Sequence, residues 1–349
     1  MKRTILNIEE AIGLPLSHDL TMIDTETQYK GARFKRGHIL REDDLPVLRK
    51  MGRLRLSILE LELDEVHEDF AAIRLAEKFK SPSFSVTTPS EGCCNLKAEK
   101  DGLFISDEQM VNRINSDKDW VLSTIANFSE VKIGEVVAAW RIAPLTMPES
   151  RVADAEKAVD ESTVKFNIAG FKPLKTALIT TGTEILKGNV RDAFCLKLPS
   201  KLEKYGAPIV FNTIVPDDKD EIIEAIKISC ENGAQAILCT GGMSVDADDM
   251  TPGAIYEISD EVLFRGTPVL PGSNLMLGKK NGNENGGEIY IFGVPACAAH
   301  SNVTVLDTVM SRIYAGIPPS EKDVRAWGAG GLCRTCKKCN FPVCSFGSR

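Results

Sequence analysis

The chain of 349 residues is 43% hydrophobic and 26% charged, an ordinary composition for folded domains, and at about 150 residues per domain it has room for roughly two cores. A formal charge of −7 and a pI of about 5.4 argue against a general nucleic-acid binder, which needs a clustered basic surface, but leave room for a small anionic ligand at a local site. No run reaches the roughly 18 apolar residues of a membrane span, and Met1-Lys2-Arg3-Thr4 leads into no signal-peptide stretch, so the expectation is a cytoplasmic protein with no membrane or nucleic-acid partner.

Residues 1–145 read as an α+β region. Gly31 to His38 is basic and bracketed by glycines, a solvated charged loop that has the charge to reach an anion. Glu65 to Phe79 has helical apolar spacing (Phe70, Ile73, Ala76, Phe79), with His67-Glu68-Asp69 capping and charging its start. Val131 to Ile142 reads as two β segments joined at Gly134. The charged, proline-containing stretch from Pro144 to Pro173 suggests a linker at 146–173, and Pro318-Pro319 marks a second boundary.

Residues 174–316 are more regular. Leu174 to Thr181, Ile209 to Val215, Ala236 to Cys239 and Glu288 to Phe292 read as strands. Ala193 to Tyr205 reads as a helix with Phe194, Leu198, Leu202 and Tyr205 on one face, although an interior Pro199 costs about 3 kcal/mol unless the helix restarts there. Asp218, with Glu221 three residues on, caps a helix carrying Ile222, Ile226 and Cys230. Asn281 to Gly287 is an exposed turn, and Ala299, Val303, Leu306, Met310 and Ile313 mark a closing helix. Strands alternating with helices predict an α/β fold with a mainly parallel sheet covered on both faces.

In such sheets ligands bind beyond the carboxyl ends of the strands. Three loops there have unusual composition: Thr180 to Asn189, Thr240 to Gly253, and Phe292 to Cys297. Glycine after a strand lets backbone N–H groups approach a phosphate, and threonine or serine adds hydroxyl donors. Asp246, Asp248 and Asp249 would repel that phosphate, so a functional cluster there implies Mg²⁺ bridging carboxylate and phosphate. The structural alternative is a tight Gly-Gly turn with aspartates capping the next helix. Neither a P-loop nor a G-x-G-x-x-G fingerprint occurs in these loops, and four histidines offer no obvious triad or His-based zinc site.

Thr180-Thr181-Gly182-Thr183-Glu184-Ile185 through Gly188 and Asp192, then Pro216-Asp217-Asp218, Thr240-Gly241-Gly242 and Asp249-Met250-Thr251-Pro252 resemble, in order, the MoaB/Mog molybdopterin-binding superfamily. The resemblance implies a three-layer α/β/α fold binding molybdopterin or its adenylylated form. It assigns ligand contact to Thr181, Gly182, Glu184, Asp192, Thr240, Gly241, Gly242, Ser244 and Pro295, catalysis to Asp249 and Asp248, and metal contact to Asp246 and Asp249. Phe34 to Leu45, with Leu48 and Gly52, is similar to a segment of MoeA-type molybdenum transferases, which insert molybdate into adenylylated molybdopterin and release AMP. Pro271-Gly272-Ser273-Asn274 lacks the lysine of that family's first turn, and Val294-Pro295-Ala296-Cys297 lacks the asparagine of its second. The CinA-like branch shares the Gly-Thr-Glu-Ile-Leu pattern and implies nucleotide pyrophosphate hydrolysis instead. A non-catalytic carrier or sensor serving a molybdoenzyme or another cofactor-assembly partner is a third reading, and relatives associate through this fold, which implies a homo-oligomer.

Of ten cysteines, Cys93, Cys94, Cys195, Cys230, Cys239 and Cys297 are scattered, as buried thiols are. Cys333, Cys336, Cys339 and Cys344 crowd a tail at 327–349 with C-x₂-C-x₂-C-x₄-C spacing. Four thiolates in one short segment predict zinc or an iron–sulfur cluster, with Arg334, Lys337 and Lys338 offsetting the charge.

Overall fold

The structure, a computed structural model, describes residues 2–25, 27–60, 62–244, 246, 249–282, 287–344 and 346. The chain divides into two compact units, one made of residues 1–100, 105–125 and 132–167, the other of 101–104, 126–131 and 168–349.

In the first unit, Lys2–Asn7 pairs antiparallel with Arg55–Glu60 and Leu20–Asp24 with Tyr29–Phe34, over a core that includes Ile8, Leu16, Leu40 and Leu48. The basic Gly31 to His38 segment begins inside the Tyr29–Phe34 strand, and acidic partners meet its charges: Lys35 meets Asp19 at 3.2 Å, Arg36 meets Asp69 at 3.1 Å and His38 meets Asp44 at 2.7 Å. Those contacts give Lys35 and Arg36 acidic partners within the fold and leave Arg33 exposed.

A four-stranded antiparallel sheet follows, ordered Phe84–Val86, Cys94–Ala98, Val136–Ile142, Trp120–Thr124. The helix expected from Glu65 starts at Glu68 after a short Glu65–His67 strand. Its buried face is also turned from the one expected: Ala71, Ala72, Leu75, Ala76 and Phe79 face inward, whereas Phe70 and Ile73 are exposed. Small alanines allow the close approach by which the Trp140 indole donates to the Ala72 carbonyl at 2.9 Å, and Phe70 instead lies 5.1 Å from the Arg36 guanidinium. The segment read as a linker carries a 13-residue helix, Glu149–Glu161, which buries Val152, Ala155, Ala158 and Val159. Arg74 ties it down through Glu149 at 2.6 Å and Glu156 at 2.5 Å.

His67 caps the Glu68–Phe79 helix as expected: its Nδ1 accepts the Asp69 N–H at 3.2 Å while Nε2 donates to the Ser17 carbonyl at 2.9 Å. Glu68 is buried, in space that exists because Gly92 has no side chain; a Cβ there would lie 2.3 Å from Glu68 Oε2. Burial pushes the Glu68 carboxyl up from 4.5 to about 7, aided by Asp69 and Asp19 and opposed by Arg141 and Arg36; Arg141 itself stands 3.4 Å away. A folded-state pKa above the unfolded one means that the folded state holds the extra proton, so this contribution is complete below about pH 4.5 and is lost as pH rises through about 7. Chemical denaturation of the full chain at pH 5 and pH 8 should show a loss of roughly 2–3 kcal/mol attributable to this group, and Glu68→Gln should flatten that dependence. An unchanged slope in the variant would refute the assignment.

The second unit is a three-layer α/β/α sandwich. Its six-stranded sheet runs Ile209–Val215, Thr176–Thr181, Ala236–Thr240, Glu288–Val294, Met276–Asn281, Glu261–Arg265. The first four strands are parallel, and the last two are antiparallel additions. Side chains alternate across it: Leu178, Leu238 and Phe292 enter one core with Leu198, Leu202 and Tyr314, and Ile179, Ile237 and Ile291 enter the other with Ile222, Ile226 and Ile255. This period of two, buried on both faces, makes the strands read as continuous apolar runs.

Lys197–Glu203 is a shorter helix than expected, and Pro199 falls in its first turn, where the missing N–H has no intrahelical partner to lose. Leu198, Leu202 and Tyr205 are buried and Phe194 packs against them. The expected closing helix divides into a 3₁₀ turn, Ala296–Ala299, and a helix, Val305–Tyr314, opened by a Thr304/Asp307 capping box. Residues 283–286 of the expected Asn-Gly turn lie outside the described residues. Among the described residues, no helix is long and apolar enough to cross a membrane. Leu238→Ala, at a fully buried central position, should cost about 2–5 kcal/mol in denaturant unfolding.

Candidate functional site

The chain leaves the Thr176–Thr181 strand for its neighbour Ile209–Val215 on one side, then crosses to Ala236–Thr240 on the other. The reversal opens a crevice between the carboxyl ends of Thr176–Thr181 and Ala236–Thr240, the place where ligands bind in open parallel sheets. The parallel register sets Thr180 level with Thr240, and Thr240 level with Val294. The residues that follow, Thr181, Gly241 and Pro295, therefore stand together at the rim.

Thr180, Thr181, Thr240 and Thr251 are all buried there, and their hydroxyls meet in two pairs, Thr240 with Thr180 and Thr181 with Thr251. Thr240 Oγ1 donates to Thr180 Oγ1 at 3.3 Å, and Thr180 Oγ1 donates to the Asp192 carboxylate at 3.1 Å. Asp192 also accepts the Phe194 N–H at 2.7 Å, so it fixes the mouth of the long loop after Thr181. Thr251 donates to the Gly241 carbonyl at 2.9 Å and lies 3.5 Å from the Thr181 hydroxyl.

Gly241 and Gly242 have φ of +86° and +55°, and both lack a side chain for a reason. A Cβ on Gly241 would sit 2.3 Å from the Thr181 carbonyl oxygen, and one on Gly242 would sit 2.9 Å from Thr251 Oγ1. Glycine at a strand end lets backbone N–H groups come close to a bound anion. Gly182 opens the short Thr183–Leu186 helix and donates to the Val215 carbonyl at 3.0 Å. Asp217 braces the same turn by accepting the Thr183 N–H at 2.9 Å.

The sequence-predicted residues thus separate. Thr181, Gly182, Asp192, Thr240, Gly241, Gly242 and the buried Pro295 converge at the crevice, whereas Glu184 and Ser244 are exposed. Asp249 is half-buried and engaged in a local turn: its carboxylate accepts the Asp246 N–H at 3.1 Å, and its own N–H donates to the Asp246 carbonyl at 3.1 Å. Asp248 lies outside the described residues. Thr180 and Thr251 belong to the site although sequence reasoning assigned them no contact. Thr251 stands beside Pro252 at a helix start, which was the available signal.

Among the described residues, no three His, Cys, Asp or Glu side chains are placed to share one metal ion. The expected Mg²⁺ therefore has no protein cage at Asp246 and Asp249, and the expected zinc has none at Cys333, Cys336, Cys339 and Cys344. The Asp249 carboxylate is engaged with the Asp246 backbone N–H, and all four cysteines are free thiols.

Residues 177–314 match a family model described as a probable molybdopterin binding domain. The matched span holds every crevice residue above. Residues 5–60 match a second model, a domain of unknown function. Among curated relatives, a CinA-like protein of Synechococcus elongatus is 36% identical over 74 residues, 21% of this chain and 17% of the relative. A CinA-like protein of Amoebophilus asiaticus is 26% identical over 87 residues, 25% of this chain and 21% of the relative. The chain thus spans about a fifth of the length of these relatives. Among solved structures, the tungsten cofactor synthesizing protein MoaB from Pyrococcus furiosus is 23% identical, with 41% of this chain and 94% of that chain covered at a TM-score of 0.35.

Gly241→Ala should destabilise the second unit by at least about 2 kcal/mol, because left-handed strain adds to a backbone clash. Thr181→Val, which keeps the shape and removes one long hydroxyl contact, should cost less than about 1 kcal/mol. Equal losses in thermal unfolding would contradict the close-approach argument.

Proposed function

We propose that the 177–314 domain binds the phosphate-bearing end of molybdopterin or adenylylated molybdopterin, as part of molybdenum cofactor biosynthesis. The observation that carries this reading is the meeting of the Gly241-Gly242 turn with Thr181, Thr240 and Thr251 at the sheet's switch point, inside the span of the family match. Hydroxyls and positive-φ peptides suit an anionic group, and each charge-assisted hydrogen bond contributes about 1.5–3 kcal/mol.

The reaction proposed for the site is molybdate insertion with release of AMP. In it the chain's own residues position the ligand: Gly241 and Gly242 hold the phosphate close to the backbone, and Asp192 keeps the loop mouth fixed. The residues described do not form a Mg²⁺ cage, so no step is routed through the metal. CinA-like relatives favour a second reading, hydrolysis of a nucleotide pyrophosphate by the same crevice.

Purified protein mixed with adenylylated molybdopterin and molybdate should release AMP in a molybdate-dependent manner. Tight pterin binding without AMP would reduce the domain to a carrier, and turnover of ADP-ribose without any pterin would favour the pyrophosphatase. Thr181→Val should weaken pterin affinity roughly tenfold to a hundredfold by calorimetry; unchanged affinity would remove the crevice from the binding site.

A further inference from the structure

The cysteine tail does not dangle. Leu332 bridges to Leu270, with the Cys333 N–H donating to the Leu270 carbonyl and the Leu270 N–H to the Gly331 carbonyl, each at 2.8 Å. At its other end Phe346 is buried in the core of the second unit, and Phe341 and Cys344 pack against that core. Cys333 and Cys344 are thereby fixed by the fold, while Cys336 and Cys339 stand on the exposed loop between them. All four line one cavity of about 360 Å³, together with His300, which follows the Glu288–Val294 strand.

Zinc would need its four sulfurs about 2.3 Å from a single point, leaving no space between them. The cysteines here surround an open volume, and no three of them converge in that way. An iron–sulfur cluster meets the opposite requirement. Its irons and sulfides fill the space between thiolates held on its outer corners, and Val303, Phe341 and Phe346 would give it an apolar wall on the side of the core, as the apolar shell of such sites does.

We propose that this cavity holds an iron–sulfur cluster ligated by Cys333, Cys336, Cys339 and Cys344. Each cysteine sulfur bonds to iron as the thiolate that held the preformed cluster leaves and takes up the cysteine's proton, so seating the cluster is ligand exchange with no net oxidation. The resulting negative charge lies beside Arg334, Lys337 and Lys338, carried on the same loop. The site stands apart from the pterin reading and does not depend on it.

The full chain, purified without oxygen and reconstituted with iron and sulfide, should contain about four irons and four acid-labile sulfides per molecule and show visible sulfide-to-iron charge-transfer absorption. The double variant Cys336→Ser/Cys339→Ser should lose both signals while keeping its circular dichroism and melting temperature, because neither side chain is in the core. Cys195→Ser, at an exposed cysteine elsewhere, should retain them. One zinc per chain without sulfide, no bound metal after reconstitution, or a cluster that survives the double variant would each overturn the proposal.

Discussion

The carboxyl ends of the central strands are organised by one close approach, the backbone at Gly241 against the carbonyl of Thr181. With any side chain at Gly241 the two strand ends would have to separate, since a Cβ there would come within 2.3 Å of that oxygen. The contact lets Thr251 reach the Gly241 carbonyl and brings buried threonine hydroxyls of three segments into two neighbouring pairs. Buried hydroxyls are tolerable because each finds a partner, here another threonine, the Asp192 carboxylate or the Gly241 carbonyl, so the crevice is a structural joint.

Much of the second unit was legible in the chain because its determinants are local. Strand residues buried on both faces leave an apolar run, helix caps such as Asp218 are read three residues at a time, and glycines at strand ends announce turns. What failed to show was decided by distant packing. The phase of the Glu68–Phe79 helix depends on which side chains let it approach Trp140, and alanines won over Phe70 and Ile73. The Glu149–Glu161 helix was hidden by its charge, part of which, at Glu149, Glu156 and Asp160, is spent on Arg74 and Lys78 of another helix. Thr180 and Thr251 emerge as site residues only after the parallel register has set their strand ends side by side.

The three-residue run His67-Glu68-Asp69 shows how a catalytic-looking sequence can have a structural occupation. Its histidine has both ring nitrogens committed, one to the helix cap and one to Ser17. Its aspartate is paired with Arg36. Only Glu68 carries an unrelieved cost, a carboxyl enclosed beside Gly92 with one guanidinium at 3.4 Å, and that cost makes the first unit sensitive to pH. The crevice threonines of the second unit, which do not titrate in this range, carry no such dependence.

The anchoring of the tail at Leu332 and Phe346 has an entropic consequence. A free peptide that gathers four donors around one centre must close its loops from an ensemble of extended shapes, at a cost that grows with the chain between them. Here folding has already closed the outermost loop, because Cys333 is pinned through Leu270 and Cys344 lies against the core. Only the short exposed segment between them has freedom left to lose, so the affinity of this end of the molecule for whatever fills it is coupled directly to the stability of the sheet beneath.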